Sequence, residues 1–178
     1  MEELFDRIRE RALDSETQTD EPALRSAGLP SVATEALLND AEQRLGMRLP
    51  PLLRRLYLEV ANGGFVPGYG LIGVSGGAGD DGGNTIAELY EGTCSETWRK
   101  DLPNWPDGVV RICYWGCAMY SVVDCSVPEF PMFHFEPNED EDVVGFPNCL
   151  VPHNRTFEQY MAAWVDGFDL LNEVLLWD

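Results

Sequence analysis

The sequence predicts an α+β domain with an N-terminal helix pair, a mostly antiparallel central sheet and a closing C-terminal helix. Three observations support this prediction. Apolar residues at helical spacing come early in the chain, short apolar runs between turn residues follow, and a second helical pattern closes the sequence. Because helices and strands do not alternate, a parallel βαβ sheet is not expected. A chain of 178 residues is long enough for one domain with its own core.

The helix pair is predicted from its starting and ending residues. Ser31 is expected to cap the first helix, which runs to about Leu45, where Gly46 ends it. Pro50-Pro51 opens the second helix, since proline is tolerated in the first helical turn. Residues 62–64, Asn-Gly-Gly, end that helix because they adopt positive φ at low cost.

The chain is predicted to consist of an N-terminal arm, residues 1–30, and a domain, residues 31–178. Within the arm, residues 3–13 carry an apolar stripe at helical spacing and are expected to form a short helix. Residues 14–30 are polar and contain two prolines and a glycine, which is typical of a loop.

The middle of the chain predicts the sheet. A short apolar run over residues 69–74 indicates a strand, and residues 109–115 and 119–125 predict a hairpin. Residues 131–136 predict a further strand on which two phenylalanines alternate with polar residues. His134 lies at a polar position of that alternation, so we expect it to point to solvent or to a polar partner.

Four more segments complete the predicted order. Residues 76–83 are rich in glycine and are expected to form a flexible loop, and residues 84–91 are expected to form a helix. Residues 136–142 form an acidic turn. Thr156 is expected to cap a long helix whose apolar residues extend to Leu175.

The charge of the chain restricts its partners. There are 31 acidic and 12 basic residues, which gives a formal net charge of −19. Nucleic acids and anionic membranes would be repelled, so neither is an expected partner. A basic protein would be attracted and steered inward. General solubility, or an organism whose proteins are acidic throughout, is the alternative explanation of this charge.

The cysteines indicate reduced thiols and a cytoplasmic location. Their number, five, is odd, and the first residues lack the apolar run of a signal peptide. No apolar run approaches the ~20 residues that span a bilayer. Cys113, Cys117 and Cys125 lie in apolar strand context without a second cysteine knuckle, which favours buried thiols over a zinc site. No metal or cofactor is predicted.

The sequence contains no set of residues typical of catalysis, and an enzyme is not predicted. A cysteine paired with His134 or His153 has no local sequence to support it. The glycine-rich segment lacks the Gly-Lys-Ser/Thr end of a phosphate-binding loop, and Asp80-Asp81 would repel a phosphate. Residues 139–142 lack the ligand spacing of an EF-hand. A binding loop and a solvated acidic turn are the preferred interpretations.

Two short motifs carry a family resemblance. Residues 42–50 read Glu-Gln-Arg-Leu-Gly-Met-Arg-Leu-Pro, and residues 62–64 read Asn-Gly-Gly. At this spacing they resemble the N-terminal signature of the SUKH superfamily, which includes bacterial immunity proteins against polymorphic toxins and Smi/Knr-type fungal cell-wall regulators. The resemblance covers about residues 31–176. Residues 1–30 and the Trp-rich connection 98–106 do not match the family pattern.

This resemblance implies an immunity protein that binds and neutralises a cognate toxin, for instance a basic nuclease, by stoichiometric masking. A regulatory or scaffold module without a toxin partner is the alternative. The two motifs have structural tasks, so recognition is expected elsewhere, through carboxylates that pair with basic side chains and aromatic residues that supply binding energy. The expected partner-binding residues are Asp80, Asp81, Trp98, Trp105, Tyr114, Trp115, Glu136, Glu139, Asp140, Glu141 and Asp142. A core position is the alternative for each aromatic residue, above all for the two in the predicted hairpin.

Overall fold

Helices flank a four-stranded antiparallel sheet in the computed structural model, which describes residues 2–17, 28–96, 105–137 and 149–172. The helices of these ranges are α1 (Glu2–Leu13), α2 (Glu35–Leu45), α3 (Pro51–Glu59), α4 (Ile86–Thr93) and α5 (Phe157–Val165). The strands are β1 (Val109–Gly116), β2 (Met119–Asp124), β3 (Pro131–Phe135) and β4 (Leu150–Thr156), paired in that order. The α+β prediction, with a helix pair before the sheet and a helix after it, is confirmed.

The first helix of the pair, α2, begins later than the sequence predicted. Its cap is Thr34, whose hydroxyl accepts a hydrogen bond from the Leu37 amide at 3.3 Å. Ser31 is not the cap, because the chain before Thr34 is held against the end of α3. There the Ala33 amide donates to the Tyr57 carbonyl at 2.8 Å.

The other ends of the helix pair lie where the sequence predicted them. Gly46 ends α2 in the left-handed region at φ 73°, and Pro51 occupies the start of α3. The run 62–64 follows α3, and Gly63 and Gly64 both adopt φ 85°. Residues with a side chain rarely adopt these angles, so the two glycines allow the chain to reverse.

The carboxylate of Glu42 joins α2, the connection and α3. It is buried, and Oε1 accepts the Leu49 amide at 2.9 Å. Oε2 accepts hydrogen bonds from Arg54 at 2.7 Å and from Arg48 at 2.5 Å. A buried carboxylate is stable only when it is paired in this way. The first motif of the sequence therefore fixes how the two helices pack.

The sheet differs from the prediction at both of its edges. The β1–β2 hairpin and β3 are confirmed, but residues 69–74 form no strand and make one bridge, between Leu71 and Cys113. The edge strand β4 was not predicted. Pro152 interrupts its sequence pattern, and Asn154 has φ 53°, so neither the composition nor the alternation is typical of a strand.

The closing helix α5 begins as predicted and ends early. The Thr156 hydroxyl accepts the Gln159 amide at 3.3 Å, and the Gln159 side chain accepts the Thr156 amide at 3.0 Å, which forms a capping box. The helix ends at Val165, and the chain turns at Gly167, whose φ is 83°. The prediction of one long helix is therefore wrong, and Leu175 lies outside the described residues.

The helix predicted near the N-terminus is confirmed as α1. Phe5, Ile8 and Ala12 are buried, and α1 contacts α5 and α3. Residues 18–27 of the predicted arm lie outside the described residues, and the boundary at residue 31 stays a prediction. In the part of the chain that is described, no helix is both long enough and apolar enough to cross a membrane.

Replacement of Glu42 by alanine should lower the free energy of unfolding by about 2–4 kcal/mol, because the Leu49 amide and Arg54 would lose a buried acceptor. Urea denaturation followed by tryptophan fluorescence measures the change. Glu35→Ala is the matched control, since Glu35 also pairs with Arg54, at 2.7 Å, but is exposed. Its loss should stay below about 1 kcal/mol. Equal losses for the two variants would contradict the role assigned to the buried carboxylate.

Candidate functional site

Asn62 anchors the segment that we call the glycine loop, residues 76–83. Its side chain is buried, and its oxygen accepts the Val74 amide at 2.9 Å. Its Nδ2 donates to the carbonyls of Val74 and Ser75 at 3.2 and 3.3 Å. The Asn62 carbonyl in turn accepts the Ala78 amide at 2.9 Å. One residue of the Asn-Gly-Gly motif therefore fixes the start of the loop.

Two glycines allow this close approach. A Cβ atom placed on Gly73 or on Gly77 would lie 2.3 Å from the Asn62 carbonyl oxygen. That distance is far inside van der Waals contact, so a side chain at either position would displace the loop. Gly73 and Gly77 are therefore required by packing against Asn62.

Asp80 organises the tip of the glycine loop and ties it to the sheet. Its Oδ1 accepts the amides of Gly82 and Asn84 at 3.0 and 2.9 Å. Its Oδ2 accepts the Tyr120 hydroxyl of β2 at 3.1 Å. The loop is therefore bonded to the sheet surface, a connection that its glycine content does not predict.

Three tyrosines pack against one another, with tilted rings, where the glycine loop meets β1 and β2. The ring centroids of Tyr69 and Tyr114 are 5.4 Å apart, and those of Tyr114 and Tyr120 are 5.1 Å apart. The Tyr114 hydroxyl donates to Asp81 Oδ2 at 2.8 Å. We call these three tyrosines, Asp80 and Asp81 the tyrosine–carboxylate cluster.

The hydroxyls of Tyr114 and Tyr120 are donors over the neutral pH range. Burial, followed by the hydrogen bond to Asp81, raises the pKa of Tyr114 to about 12. Burial and the charge of Asp80 raise the pKa of Tyr120 further above its usual value. Both phenols therefore stay protonated near pH 7 and hold the two carboxylates in place.

The cluster keeps its negative charge without a salt bridge. Among the described residues, no basic side chain forms an ion pair with Asp80 or Asp81. Arg111 lies close, with its guanidinium 5.1 Å from the Tyr120 ring. It is buried and donates to Thr93 and to the Leu89 carbonyl, and its charge attracts Asp80 without forming an ion pair. Ion pairs occur elsewhere: Arg7–Asp166, Arg44–Glu91, Arg48–Glu42, Arg54–Glu35, Arg54–Glu42, Arg55–Glu2 and Arg55–Glu59.

An aromatic groove of about 430 Å³ adjoins the cluster and shares Tyr69 with it. Two aromatic residues at the rim of the groove are exposed, Tyr69 at 42% and Phe168 at 52%. Trp115 is half-buried in the groove, and its Nε1 donates to the Ser121 hydroxyl at 2.8 Å. Further lining residues are Arg11, Gly68, Trp164 and Leu171. Exposed aromatic side chains beside unpaired carboxylates are typical of a surface that binds a protein.

The predicted partner-binding residues fall into three groups. Asp80, Asp81, Tyr114 and Trp115 lie together at the cluster and the groove. Trp105 and Glu136 are buried. The Trp105 ring packs edge-on against Phe135 at 5.0 Å, and Phe135 in turn stacks on Tyr120 of the cluster at 6.4 Å. The remaining five lie outside the described residues: Trp98, Glu139, Asp140, Glu141 and Asp142. Whether each of the eleven contacts a partner stays a prediction.

Sequence reasoning missed two exposed aromatic residues of this surface, Tyr69 and Phe168. Tyr69 belonged to a predicted strand, and Phe168 to a helix that was expected to bury it. A signal was present in the neighbours, because glycines flank Tyr69 on both sides and Gly167 precedes Phe168. Turn residues beside a single aromatic residue indicate a side chain displayed on a loop.

The only two histidines of the chain are buried together, away from the cluster. His134 is fully buried and His153 is 4% exposed, with ring centroids 6.3 Å apart. Among the described residues, none provides a hydrogen bond to any of the four ring nitrogens. His134 therefore does not face solvent. The expected polar partner is Glu136, whose Oε2 lies 4.0 Å from His134 Nε2, beyond hydrogen-bond distance. Its strand pairs on both sides, and α5 covers the sheet through Tyr160, whose ring lies 5.2 Å from that of His153.

Comparison with protein families gives one match. A family model described as SMI1 / KNR4 family (SUKH-1) matches residues 32–162, well over half of the chain. The matched range contains both motifs on which the resemblance rested, residues 42–50 and 62–64, and confirms it. Neither a curated protein nor a solved structure matched the chain.

The buried histidines predict a specific loss of stability in mild acid. Burial lowers the pKa of His134, against the opposing charge of Glu136, and lowers that of His153 to about 3, with the charges of His134 and Arg155 adding to it. Because these values lie below the ordinary ~6.5 of the unfolded chain, stability is complete above that pH and decreases as the pH falls.

Urea titrations between pH 7 and 5 measure this effect. Below pH ~6.5, His153 should contribute a slope of up to about 1.4 kcal/mol per pH unit. The variant His153→Phe should unfold with a shallower pH dependence, whatever its stability at pH 7. An unchanged slope in that variant would contradict the burial of a neutral imidazole at this position.

Proposed function

Because the chain belongs to the SMI1 / KNR4 family (SUKH-1), we propose that it is an immunity protein that binds and neutralises a cognate polymorphic toxin. Domains of this family are known as immunity-type proteins. Neutralisation would proceed by masking, in which the domain covers the working surface of the toxin in a stoichiometric complex. The cytoplasm is the proposed location of this encounter.

One observation carries the proposal: unpaired carboxylates and exposed aromatic rings share one surface. Asp81 is exposed and has no ion pair among the described residues, while Tyr69 and Phe168 expose their rings nearby. Aromatic side chains supply most of the energy of protein interfaces, and charges at the rim steer the partner. The surface thus contains both parts that a binding site for a basic protein needs.

A basic toxin is the class of partner that we favour. The net charge of −19 attracts cationic proteins over long range. If the toxin is a nuclease, the carboxylates of the domain would pair with the arginines and lysines that otherwise bind phosphates. Within this proposal, Glu139, Asp140, Glu141 and Asp142 remain candidates for steering the toxin.

The proposed role is binding without catalysis. His134 and His153, which would be the histidine bases of the chain, are buried in the core. They are therefore out of reach of a substrate at the surface. The raised pKa of Tyr114, about 12, also makes its hydroxyl a hydrogen-bond donor and a poor base near pH 7.

The proposal predicts a complex with the protein encoded immediately upstream of this gene. Purified together, the two should elute as a one-to-one complex in size-exclusion chromatography with light scattering. Co-expression of this chain should also restore the growth of cells that the upstream protein inhibits. The association rate should fall steeply as salt is raised, because charge drives the encounter. A complex without rescue of growth would favour a regulatory module, and absence of both would contradict the immunity role.

Charge variants test which carboxylate takes part. Asp81→Asn should lower the association rate at low salt by about two- to fivefold, because one steering charge is lost. Glu158→Gln removes an equally exposed charge from α5 and serves as the matched control. Stopped-flow fluorescence measures both rates, and equal rates for the two variants would place the toxin elsewhere.

A further inference from the structure

Tyr69 presents its ring in a fixed position at the junction of the cluster and the groove. Its amide donates to the Tyr114 carbonyl at 2.9 Å, and one side of its ring packs on Tyr114. The Gly116 backbone lies beneath it, where an added Cβ would come within 3.2 Å of the Tyr69 ring. The ring nevertheless remains 42% exposed. It is therefore held rigidly while much of its surface faces solvent.

Asp81 offers an oriented carboxylate that Tyr114 links to this ring. The Tyr114 hydroxyl, 2.8 Å away, holds Oδ2. Among the described residues, none donates a hydrogen bond to Oδ1. Tyr114 thus connects the two groups: its ring supports Tyr69 and its hydroxyl positions Asp81. A cation bound here would find a flat aromatic surface and a carboxylate that are both already in place.

The same combination already binds an arginine elsewhere in this molecule. The Arg55 guanidinium lies 3.6 Å from the centroid of the Phe5 ring and pairs with Glu2 at 2.8 Å and Glu59 at 3.0 Å. A guanidinium is planar, so it can stack on a ring and bond a carboxylate at its edge simultaneously. An ammonium group is more strongly hydrated and has no flat face to stack.

We propose that Tyr69 and Asp81 form an anchoring site for an arginine side chain of a basic protein partner. The aromatic groove beside them, with Trp115 and Phe168, receives an apolar side chain next to that arginine. The charge of the chain supports this choice of occupant. The described arginine–glutamate pairs lie on the helices or on the connection between α2 and α3, whereas Asp80 and Asp81 form no ion pair with a described residue. This inference rests on the proposed function and specifies where and by what chemistry the partner is held.

Peptide titrations of the full chain test the proposal without a toxin. The probes are two blocked tetrapeptides, Ac-Gly-Arg-Leu-Gly-NH2 and the same peptide with lysine in place of arginine. Nitrogen–proton NMR spectra report binding through the Tyr69 amide and the Trp115 indole NH. The arginine peptide should bind with a dissociation constant on the order of 1–10 mM, and the lysine peptide about fivefold more weakly.

Three variants separate the anchor from other effects. Tyr69→Ala and Asp81→Asn should each weaken binding of the arginine peptide by about threefold or more, whereas Tyr69→Phe keeps the ring and should bind as the wild type does. Glu158→Gln is the matched charge control, and the dispersion of the amide spectrum shows whether each variant is folded. If the alanine variant fails to fold, Asp81→Asn still tests the anchor.

Three results would overturn the inference: equal affinity for the two peptides, shifts confined to residues away from Tyr69 and Trp115, or no shift with the arginine peptide at 20 mM, ~2-fold above the highest dissociation constant expected for that peptide. Each of these would leave a toxin complex possible, since no toxin is present in the titration. Conversely, if the chain binds the arginine peptide but forms no complex with a toxin, the anchoring site would be supported and the proposed immunity role would be contradicted.

Discussion

The arrangement of this molecule depends on the hydrogen bonds of Asn62, whose side chain is buried. It bonds both polar groups of Val74, and its backbone amide donates to the Ser31 carbonyl at 3.3 Å. Without these bonds, the segment that leaves α3 would bury peptide groups without partners, which is costly. Asn62 therefore joins the helix pair to the glycine loop. The Asn-Gly-Gly motif acts as scaffold, and its effect on function is indirect.

The acidic residues of the molecule are paired to different extents on the helices and at the glycine loop. On the helices, glutamates are neutralised by neighbouring arginines, as in the pairs of Arg54 and Arg55. The glycine loop brings Asp80 and Asp81 to tyrosine hydroxyls, which hold the carboxylates without cancelling their charge. A partner that supplies cations gains more at this surface than at the helices, because fewer existing ion pairs must be broken. This distribution of charge supports the proposal that a basic partner binds at the glycine loop.

Local signals in the sequence were sufficient where local chemistry decides the structure. Gly46, Pro51 and Thr156 mark helix ends, and the apolar runs on either side of Gly116 form the hairpin. Long-range contacts decided the rest. Burial of His134 depends on α5, which is distant in sequence. The pairing of β4 with β3 overrides a proline and an Asn154 in the left-handed region.

The sequence predicted only part of the candidate site, again because long-range contacts decide the rest. The two loop aspartates and the hairpin aromatics were recognised as candidates, but their joint position results from the bonds of Asp80 and Asp81 to tyrosines of β1 and β2. Exposure of Tyr69 depends on the turn around it. Hydrogen exchange of the full chain, with and without its bound toxin, measures which surface the toxin covers. Binding at the tyrosine–carboxylate cluster and the aromatic groove should slow exchange over residues 66–83 and 114–120, whereas slowing confined to α1 and α3 would contradict the proposed site.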